Sequence, residues 1–140
     1  MSYVDTFILV AEDCPVRAGV VPTARAEAKI VPVLQYELLT RHPYGFMQDD
    51  LLFAVHVRHK GIPDDALAAE GEAIRAAFFA KPHPCLRASP LPKRYGWGVH
   101  YDAHGRIALY AVDSGDYRRL SRGGAGDPAL IRVMRNRRGR

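Results

Sequence analysis

The sequence predicts an α+β domain, a two-layer sandwich in which helices pack on one face of a mainly antiparallel sheet. Apolar residues alternate with polar or small residues on both sides of a turn at 102–105, which is typical of a β-hairpin. Helix signals separate the other strand candidates, so the predicted order is β, α, β, α, hairpin, α. The hairpin argues against a fully parallel, doubly wound sheet.

Composition indicates a single globular domain. The chain has 140 residues, of which 48% are apolar and 25% charged, and these values suit a water-exposed protein with a core. No apolar run is long enough to cross a bilayer, and the N-terminus lacks the pattern of a signal peptide. We therefore expect a cytoplasmic protein with no membrane partner. Cys14 and Cys85 are too few for a disulfide framework and are expected to be free thiols.

The positive charge is concentrated at the C-terminus. Residues 118–140 contain eight Arg and one acidic residue, Asp127, for a net charge of +7, whereas the rest of the chain carries −2. The net charge of +5 therefore does not predict a basic nucleic-acid-binding face on the folded domain. Nucleic-acid binding by the Arg-rich tail, with exposed aromatic rings that stack on bases, remains an alternative to a tail that is simply solvated.

The first half of the chain predicts two strands and one helix. Thr6 to Ala11 is a short apolar run, as in a buried strand, and Glu12 to Lys29 follows as an irregular loop. A helix is predicted from Pro32 to Arg41, although nearby β-branched residues leave a strand as the alternative. Tyr44 to Asp50 is predicted to be a turn region. Leu51 to Arg58 alternates, which predicts a second strand.

The second half begins with the clearest helix, Gly61 to Ala80, which has Pro63 at its start. After the hairpin over 97–112, a short helix is predicted from Ser114 to Leu120, with Ser114 as its cap. We place the domain at residues 1–121. Residues 122–140 are predicted to be a flexible basic appendage, with a short helix starting at Asp127-Pro128.

The candidate binding site lies just before the hairpin. Four prolines between residues 82 and 92 argue against both a helix and a central strand, so this segment is expected on the surface or around a sheet edge. A rigid cationic loop beside aromatic rings could hold an anion or a planar ligand. The alternative is a plain surface connection with Trp97 in the core. The candidate ligand-binding residues are Arg87, Ser89, Lys93, Arg94, Tyr95 and Trp97.

Several short stretches resemble a family of uncharacterised bacterial proteins. They are YVDTFI at 3–8, LQYELL at 34–39, HPY at 42–44, DDLLF at 49–53, CLRASPL at 85–91 and YGWG at 95–98. The resemblance spans the chain up to about Leu120. It implies a single-domain bacterial protein of unknown function, and it supplies no catalytic residues.

An enzymatic alternative uses Cys85 as a thiolate nucleophile. Lys81, His83 and Arg87 lie near it in sequence, and cationic neighbours favour a thiolate. His83 or His100 could then act as the base. Neither a cysteine-protease nor a redox motif accompanies this thiol, and a lone cysteine is more often a small buried hydrophobe. Whether the protein is an enzyme stays open.

No metal site or cofactor is expected. His56 and His59 would point to opposite faces of the predicted strand, and His83-Pro84-Cys85 has no matching half-site elsewhere. The Gly-rich stretch 122–126 follows a helix instead of a strand, which argues against a phosphate-binding loop. Our leading hypothesis is a small cytoplasmic binding or interaction domain for an anionic small molecule. Homodimer formation through an open sheet edge is a further alternative.

Overall fold

In the part of the chain that the structure describes, four strands and five α-helices form an α+β fold, which confirms the predicted fold class. The computed structural model describes residues 3–23 and 30–133. In chain order the elements are β1 (Thr6–Leu9), α1 (Ile30–Arg41), α2 (Gln48–Lys60), α3 (Asp64–Phe79), a 3₁₀ turn (Leu86–Ala88), α4 (Pro90–Arg94), β2 (Trp97–Tyr101), β3 (Ile107–Ala111), α5 (Gly115–Leu120) and β4 (Ala129–Arg132).

The strands form one mixed sheet in the order β3-β2-β1-β4. β2 pairs antiparallel with both β1 and β3, so the predicted hairpin is confirmed. Asp102 closes its turn by accepting hydrogen bonds from the backbone N–H groups of His104 and Arg106, both at 2.9 Å. Gly105 has a φ of +79°, a conformation that glycine adopts without steric cost. β4 pairs parallel to β1, with Phe7 opposite Leu130.

The core lies between the sheet and helices α1 and α2. Alternation along the strands directs Ile8, Val99 and Tyr101 to this face. The Tyr101 hydroxyl, which is fully buried, donates a hydrogen bond of 2.8 Å to the Gln48 side-chain oxygen. On the opposite face, the Tyr117 ring of α5 packs against the Phe7 ring with a centroid separation of 5.1 Å. The helical side of the core consists of Leu38, Leu39, Leu51, Val55 and Leu86.

The strand predicted over 51–58 is wrong, because this segment belongs to helix α2. Leu51 and Val55, one helical turn apart, both enter the core, and Asp49 and Asp50 lie in the first turn where the helix dipole favours acidic side chains. Gly61, with a φ of 64°, caps the C-terminus. The argument that separated His56 from His59 therefore fails, since residues three apart are neighbours on a helix.

The helices predicted to start near Pro32, Gly61 and Ser114 are confirmed as α1, α3 and α5. α1 begins at Ile30, two residues before the predicted start, and Pro32 is tolerated because N–H groups in the first turn need no helical partner. Ser114 caps α5 by accepting a 3.1 Å hydrogen bond from the Tyr117 N–H. The loop predicted after β1 is irregular over its described part; its residues 24–29 lie outside the described residues.

The Pro-rich segment differs from its prediction, which excluded a helix and placed the segment on the surface or around a sheet edge. Residues 90–94 form the short helix α4, and Leu91 and Pro92 are buried, so the segment is neither free of helix nor confined to the surface. The reason is local: Ser89 caps the helix, accepting a 3.1 Å bond from the Leu91 N–H, and both prolines occupy its first turn. There the missing proline N–H groups cost no hydrogen bond.

The short helix predicted after Asp127-Pro128 is also wrong. Asp127 accepts a 3.0 Å hydrogen bond from the Gly124 N–H in a turn, and the residues that follow form strand β4. Pairing with β1 satisfies their backbone groups along the sheet edge and places Ile131 against the core. The sheet thus includes part of the segment predicted to be an appendage. The Arg-rich end, residues 134–140, lies outside the described residues.

Candidate anion-binding cleft

A cleft of about 490 Å³ lies where strands β1 and β4 end. Because these strands run parallel, their carboxyl ends meet at one edge of the sheet, which is a common position for ligand sites. The chain leaves β1 there and continues as a loop whose residues 10–17 form most of the wall. Val112, Tyr117 and Arg132 complete the lining from the other side.

Hydrogen bonds fix two polar side chains in this cleft. The Tyr117 hydroxyl accepts a 2.9 Å bond from the Val10 N–H, and Arg132 Nη1 donates to the Val10 carbonyl oxygen at 3.3 Å. Burial raises the pKa of Tyr117, although the Val10 bond and the Arg132 charge act in the opposite direction. The phenol is therefore protonated at neutral pH and keeps its own hydrogen to donate to another group.

The lining carries more positive than negative charge. Arg17 and Arg132 contribute two guanidinium groups, both on exposed residues, and Glu12 is the one carboxylate among the described lining residues. Within residues 3–23 and 30–133, no hydrogen bond or ion pair engages the Arg17 side chain. Guanidinium groups bind carboxylates and phosphates through paired N–H donors, so the cleft has the chemistry of an anion site.

Arg87, predicted as a ligand-binding residue, lies beside this cleft. Its Nε donates a 2.6 Å hydrogen bond to the Arg132 carbonyl oxygen and so holds the end of β4. Arg94 is exposed at the end of α4, and Lys93 is half-buried in the same short helix. The structure therefore places one of the predicted cationic residues near the cleft and leaves the other two on α4.

Ser89, Tyr95 and Trp97 make contacts that hold the fold together. Ser89 is buried, and its hydroxyl donates a 2.8 Å hydrogen bond to the Gln35 side-chain oxygen of α1. The Tyr95 carbonyl oxygen accepts from the Val20 N–H at 2.8 Å, and the Trp97 indole N–H donates to the Val20 carbonyl oxygen at 2.8 Å. These two bonds attach the loop after β1 to the hairpin. The six predicted residues thus do not converge on one surface, and a ligand-binding role for them stays a prediction.

The two cysteines occupy different places. Cys14 is half-buried and lines the cleft. Cys85 is half-buried just before the 3₁₀ turn, near Tyr101 on the helical side of the sheet. His100, one of the proposed bases for Cys85, alternates with Tyr101 and so points to the opposite face. The other proposed base, His83, uses its Nε2 to bond the Phe78 carbonyl oxygen at 2.6 Å.

The chain matches the model of a known protein family over nearly its whole length. The model of one family, described as "Family of unknown function (DUF6157)", matches residues 1–139. The chain belongs to the DUF6157 family. The resemblance to an uncharacterised family is thereby confirmed. Neither the curated proteins nor the solved structures contain a match to the chain. Among the helices of residues 3–23 and 30–133, none has the length and apolar character needed to cross a membrane.

A second polar cluster of this DUF6157 chain was missed by sequence reasoning. The Tyr44 hydroxyl lies 2.8 Å from His100 Nδ1 and 2.7 Å from the Tyr110 hydroxyl. Tyr44 has a φ of 58°, which is strained for a bulky side chain. Its ring reaches the sheet face away from α1 and α2 because residues 44–47 run along the free edge of β3. The alternation of the hairpin places His100 and Tyr110 on this face, but the approach of Tyr44 is not visible in the sequence.

The protonation states of this cluster follow from its burial. Burial lowers the pKa of His100, and Arg119 acts in the same direction, while Asp102 and Asp5 oppose it. Burial and Tyr110 both raise the pKa of Tyr44. At neutral pH the Tyr44 hydroxyl is therefore protonated beside a neutral imidazole, so it has one hydrogen to donate and can accept from the other partner. The cluster ties the connection between α1 and α2 to the sheet.

The lowered pKa of His100 predicts a stability that depends on pH. The unfolded chain, with an ordinary histidine pKa of about 6.5, takes up the proton first as the pH falls. We expect the free energy of unfolding to decrease below pH 6.5, by up to about 1.4 kcal/mol per pH unit for this residue. Urea titrations between pH 7.5 and 5 measure this slope. His56, whose pKa is also lowered by burial, contributes with the same sign.

His100→Asn should therefore flatten the slope without removing it. Asparagine keeps an acceptor for the Tyr44 hydroxyl but does not titrate. His104→Asn, which removes an imidazole from an exposed residue in the hairpin turn, is the matched control and should change the slope less than His100→Asn. Equal slopes for the wild-type protein and His100→Asn would contradict the assignment.

Proposed function

We propose that this protein is a non-enzymatic binding domain that holds a small anionic molecule in the cleft at the ends of β1 and β4. One observation carries the proposal: Arg17, Arg132 and the Tyr117 hydroxyl line a single cleft of about 490 Å³, a volume in the range of small-molecule sites. Two guanidinium groups and a phenolic donor are suited to the oxygen atoms of a carboxylate or phosphate.

The attachment of the cleft wall supports this proposal. The Ala11 N–H donates to the Pro92 carbonyl oxygen at 3.0 Å, and Trp97 and Tyr95 hold Val20 at the far end of the same loop. Arg87 holds the backbone of Arg132. A site fixed before binding loses less conformational entropy when the ligand enters. In this proposal the Pro-rich segment supports the site and contributes no direct ligand contact.

Arg17→Gln is expected to weaken anion binding by about tenfold or more, because a hydrogen bond to a charged partner is worth about 1.5–3 kcal/mol. Calorimetric titrations with inorganic phosphate and with small dicarboxylates measure the affinity at low and moderate salt. Trp97 fluorescence is an independent readout, since its indole N–H bonds the loop that carries Arg17.

Arg94→Gln is the matched control, because it removes the same charge from an exposed residue outside the cleft lining. It should change the affinity less than twofold. Equal losses for Arg17→Gln and Arg94→Gln would mean nonspecific attraction to the net charge. Failure of every tested anion to bind the wild-type protein would remove the proposal.

A cytoplasmic location belongs to the same proposal. It is supported by Cys14 and Cys85, which are both free and half-buried, as expected where thiols stay reduced. Labelling in intact cells tests this location. A membrane-permeant thiol reagent should label the two cysteines, and a membrane-impermeant reagent should not.

A further inference from the structure

Helices α2 and α3 enclose a second pocket, far from the cleft in sequence and different in chemistry. It has a volume of about 490 Å³, and Ile74, Ala77 and Phe78 of α3 form an apolar part of its lining. α3 contains no buried residue along its 16 positions, so its apolar face is only partly covered by α2. The helix departs from helical geometry at Glu70, with φ −134° and ψ 19°, before it continues along α2.

Contacts between the two helices hold this pocket in shape. Arg75 Nη2 forms a 3.1 Å ion pair with Asp50, and the Arg75 guanidinium carbon lies 5.3 Å from the centre of the Phe53 ring. The Phe53 and Phe78 rings lie 5.9 Å apart. These contacts involve the second half of α3. The pocket lies next to them, beside the last turns of both helices.

One wall of the pocket is a stack of three flat rings. The Phe78 ring lies 3.8 Å from the His83 ring, nearly parallel at 14°, and 4.4 Å from the His56 ring. The His83 Nε2–H donates to the Phe78 carbonyl oxygen, which fixes the imidazole in this position. An aromatic or aliphatic group can bury apolar surface against such a wall.

The rim of the pocket is cationic. Lys60 at the end of α2 and Lys81 just after α3 both line it, and no Asp or Glu occurs among the described lining residues. Neither lysine forms an ion pair within residues 3–23 and 30–133. The pKa of His56 is lowered by burial and further by Lys60, His83 and His59, so its imidazole is neutral at pH 7. Lys60 and Lys81 therefore supply positive charge at the rim.

We propose that the pocket between α2 and α3 binds an apolar monocarboxylate, with the hydrocarbon part against the ring stack and the carboxylate between Lys60 and Lys81. The apolar part of the lining disfavours a fully hydrated anion such as phosphate, which distinguishes this pocket from the cleft. The two lysines select an anion over a neutral compound of the same shape. This site does not depend on the function proposed for the cleft.

The test uses the full chain and 1-naphthoate, with the uncharged 1-naphthamide as its counterpart. Calorimetry at pH 7 is expected to show 1-naphthoate binding at least about tenfold more tightly than 1-naphthamide, the ratio that corresponds to about 1.4 kcal/mol. Lys60→Gln/Lys81→Gln should remove this preference. Arg58→Gln, which removes a charge from an exposed residue of α2 outside the pocket lining, is the matched control and should keep it.

A second variant tests the location. Ala77 is exposed, so Ala77→Trp should fill the pocket, abolish 1-naphthoate binding and leave the unfolding midpoint near that of the wild type. Arg17→Gln should leave 1-naphthoate binding unchanged, which separates this site from the cleft.

The proposal would be overturned by no binding of 1-naphthoate at millimolar concentration, by equal affinity for the amide, or by equal losses in the double lysine variant and Arg58→Gln. Concentration-dependent dimerisation that Ala77→Trp abolishes, without 1-naphthoate binding, would assign the surface to a second copy of the chain and would also overturn it.

Discussion

Leu51→Ala is expected to lower the free energy of unfolding by about 2–5 kcal/mol, the range for removing a large aliphatic side chain from a packed core. Leu51 is 0% exposed and belongs to the cluster that joins α2 to the sheet. The loss combines the transfer free energy of the missing methyl and methylene groups with the cavity that remains. Urea denaturation at 25 °C, followed by circular dichroism, measures it.

Leu52→Ala is the matched control, since the same atoms are removed from the next residue of α2. Leu52 is only half-buried, so we expect less than half of the Leu51→Ala effect. Both variants should keep the wild-type dependence on urea concentration. Similar losses for the two variants, or a larger loss for Leu52→Ala, would contradict the placement of α2 against the sheet.

Gly96→Ala is expected to destabilise the protein by about 2–5 kcal/mol, for two reasons that act together. Gly96 has a φ of +78°, where a Cβ atom costs roughly 1–2 kcal/mol. A Cβ at this position would also lie 2.6 Å from the Ala18 carbonyl oxygen, and overpacking of this kind costs about 1–3 kcal/mol. Because the contacted atom belongs to the backbone of the loop held by Trp97, this loop must shift to make room. Thermal and urea unfolding measure the loss.

Gly71→Ala should have the opposite sign. Gly71 lies inside α3, and a Cβ there would meet nothing within 4 Å. Alanine favours a helix over glycine by up to about 1 kcal/mol, so this variant should be slightly more stable than the wild type. If Gly96→Ala were as harmless as Gly71→Ala, the close approach of the loop to the hairpin would be wrong. A shift of Trp97 fluorescence in Gly96→Ala alone would support it.

The elements predicted correctly are those with a strong local signal. In the hairpin, residues close in sequence form both the ladder and the turn, so alternation and Asp102 suffice to predict it. The helices around 64–79 and 115–120 carry their start signals within one turn, at Pro63 and Ser114. In these segments the local preference and the tertiary structure agree.

The errors occurred where two structures suit the same local pattern. The run from Leu51 to Arg58 can alternate as a strand or bury Leu51 and Val55 on one helical face, and only the position of the sheet selects the helix. Ala129 to Arg132 pairs with β1, more than a hundred residues away, so its sequence neighbours contain no trace of that partner. The prolines near residue 90 indicate a break in regular structure, yet they occupy the first turn of a helix that Ser89 caps.

The candidate site was the least predictable part. Arg17, Tyr117 and Arg132 come from three distant segments that meet only because β1 and β4 end side by side. The predicted residues near the hairpin were chosen because they lie close in sequence, and the fold directs Ser89 inward and Trp97 against the loop. Proximity in sequence is a poor guide to a site formed by long-range contacts.

By itself the sequence determined the α+β class, the hairpin, three helices and the resemblance to an uncharacterised family, since these depend on composition, short periodic patterns and capping residues. The tertiary structure alone decided that 51–58 is a helix, that 129–132 is a strand parallel to β1, and which cationic side chains share a cleft. The physical reason is that burial of Leu51 and the pairing of β4 release free energy only when distant segments are already in place.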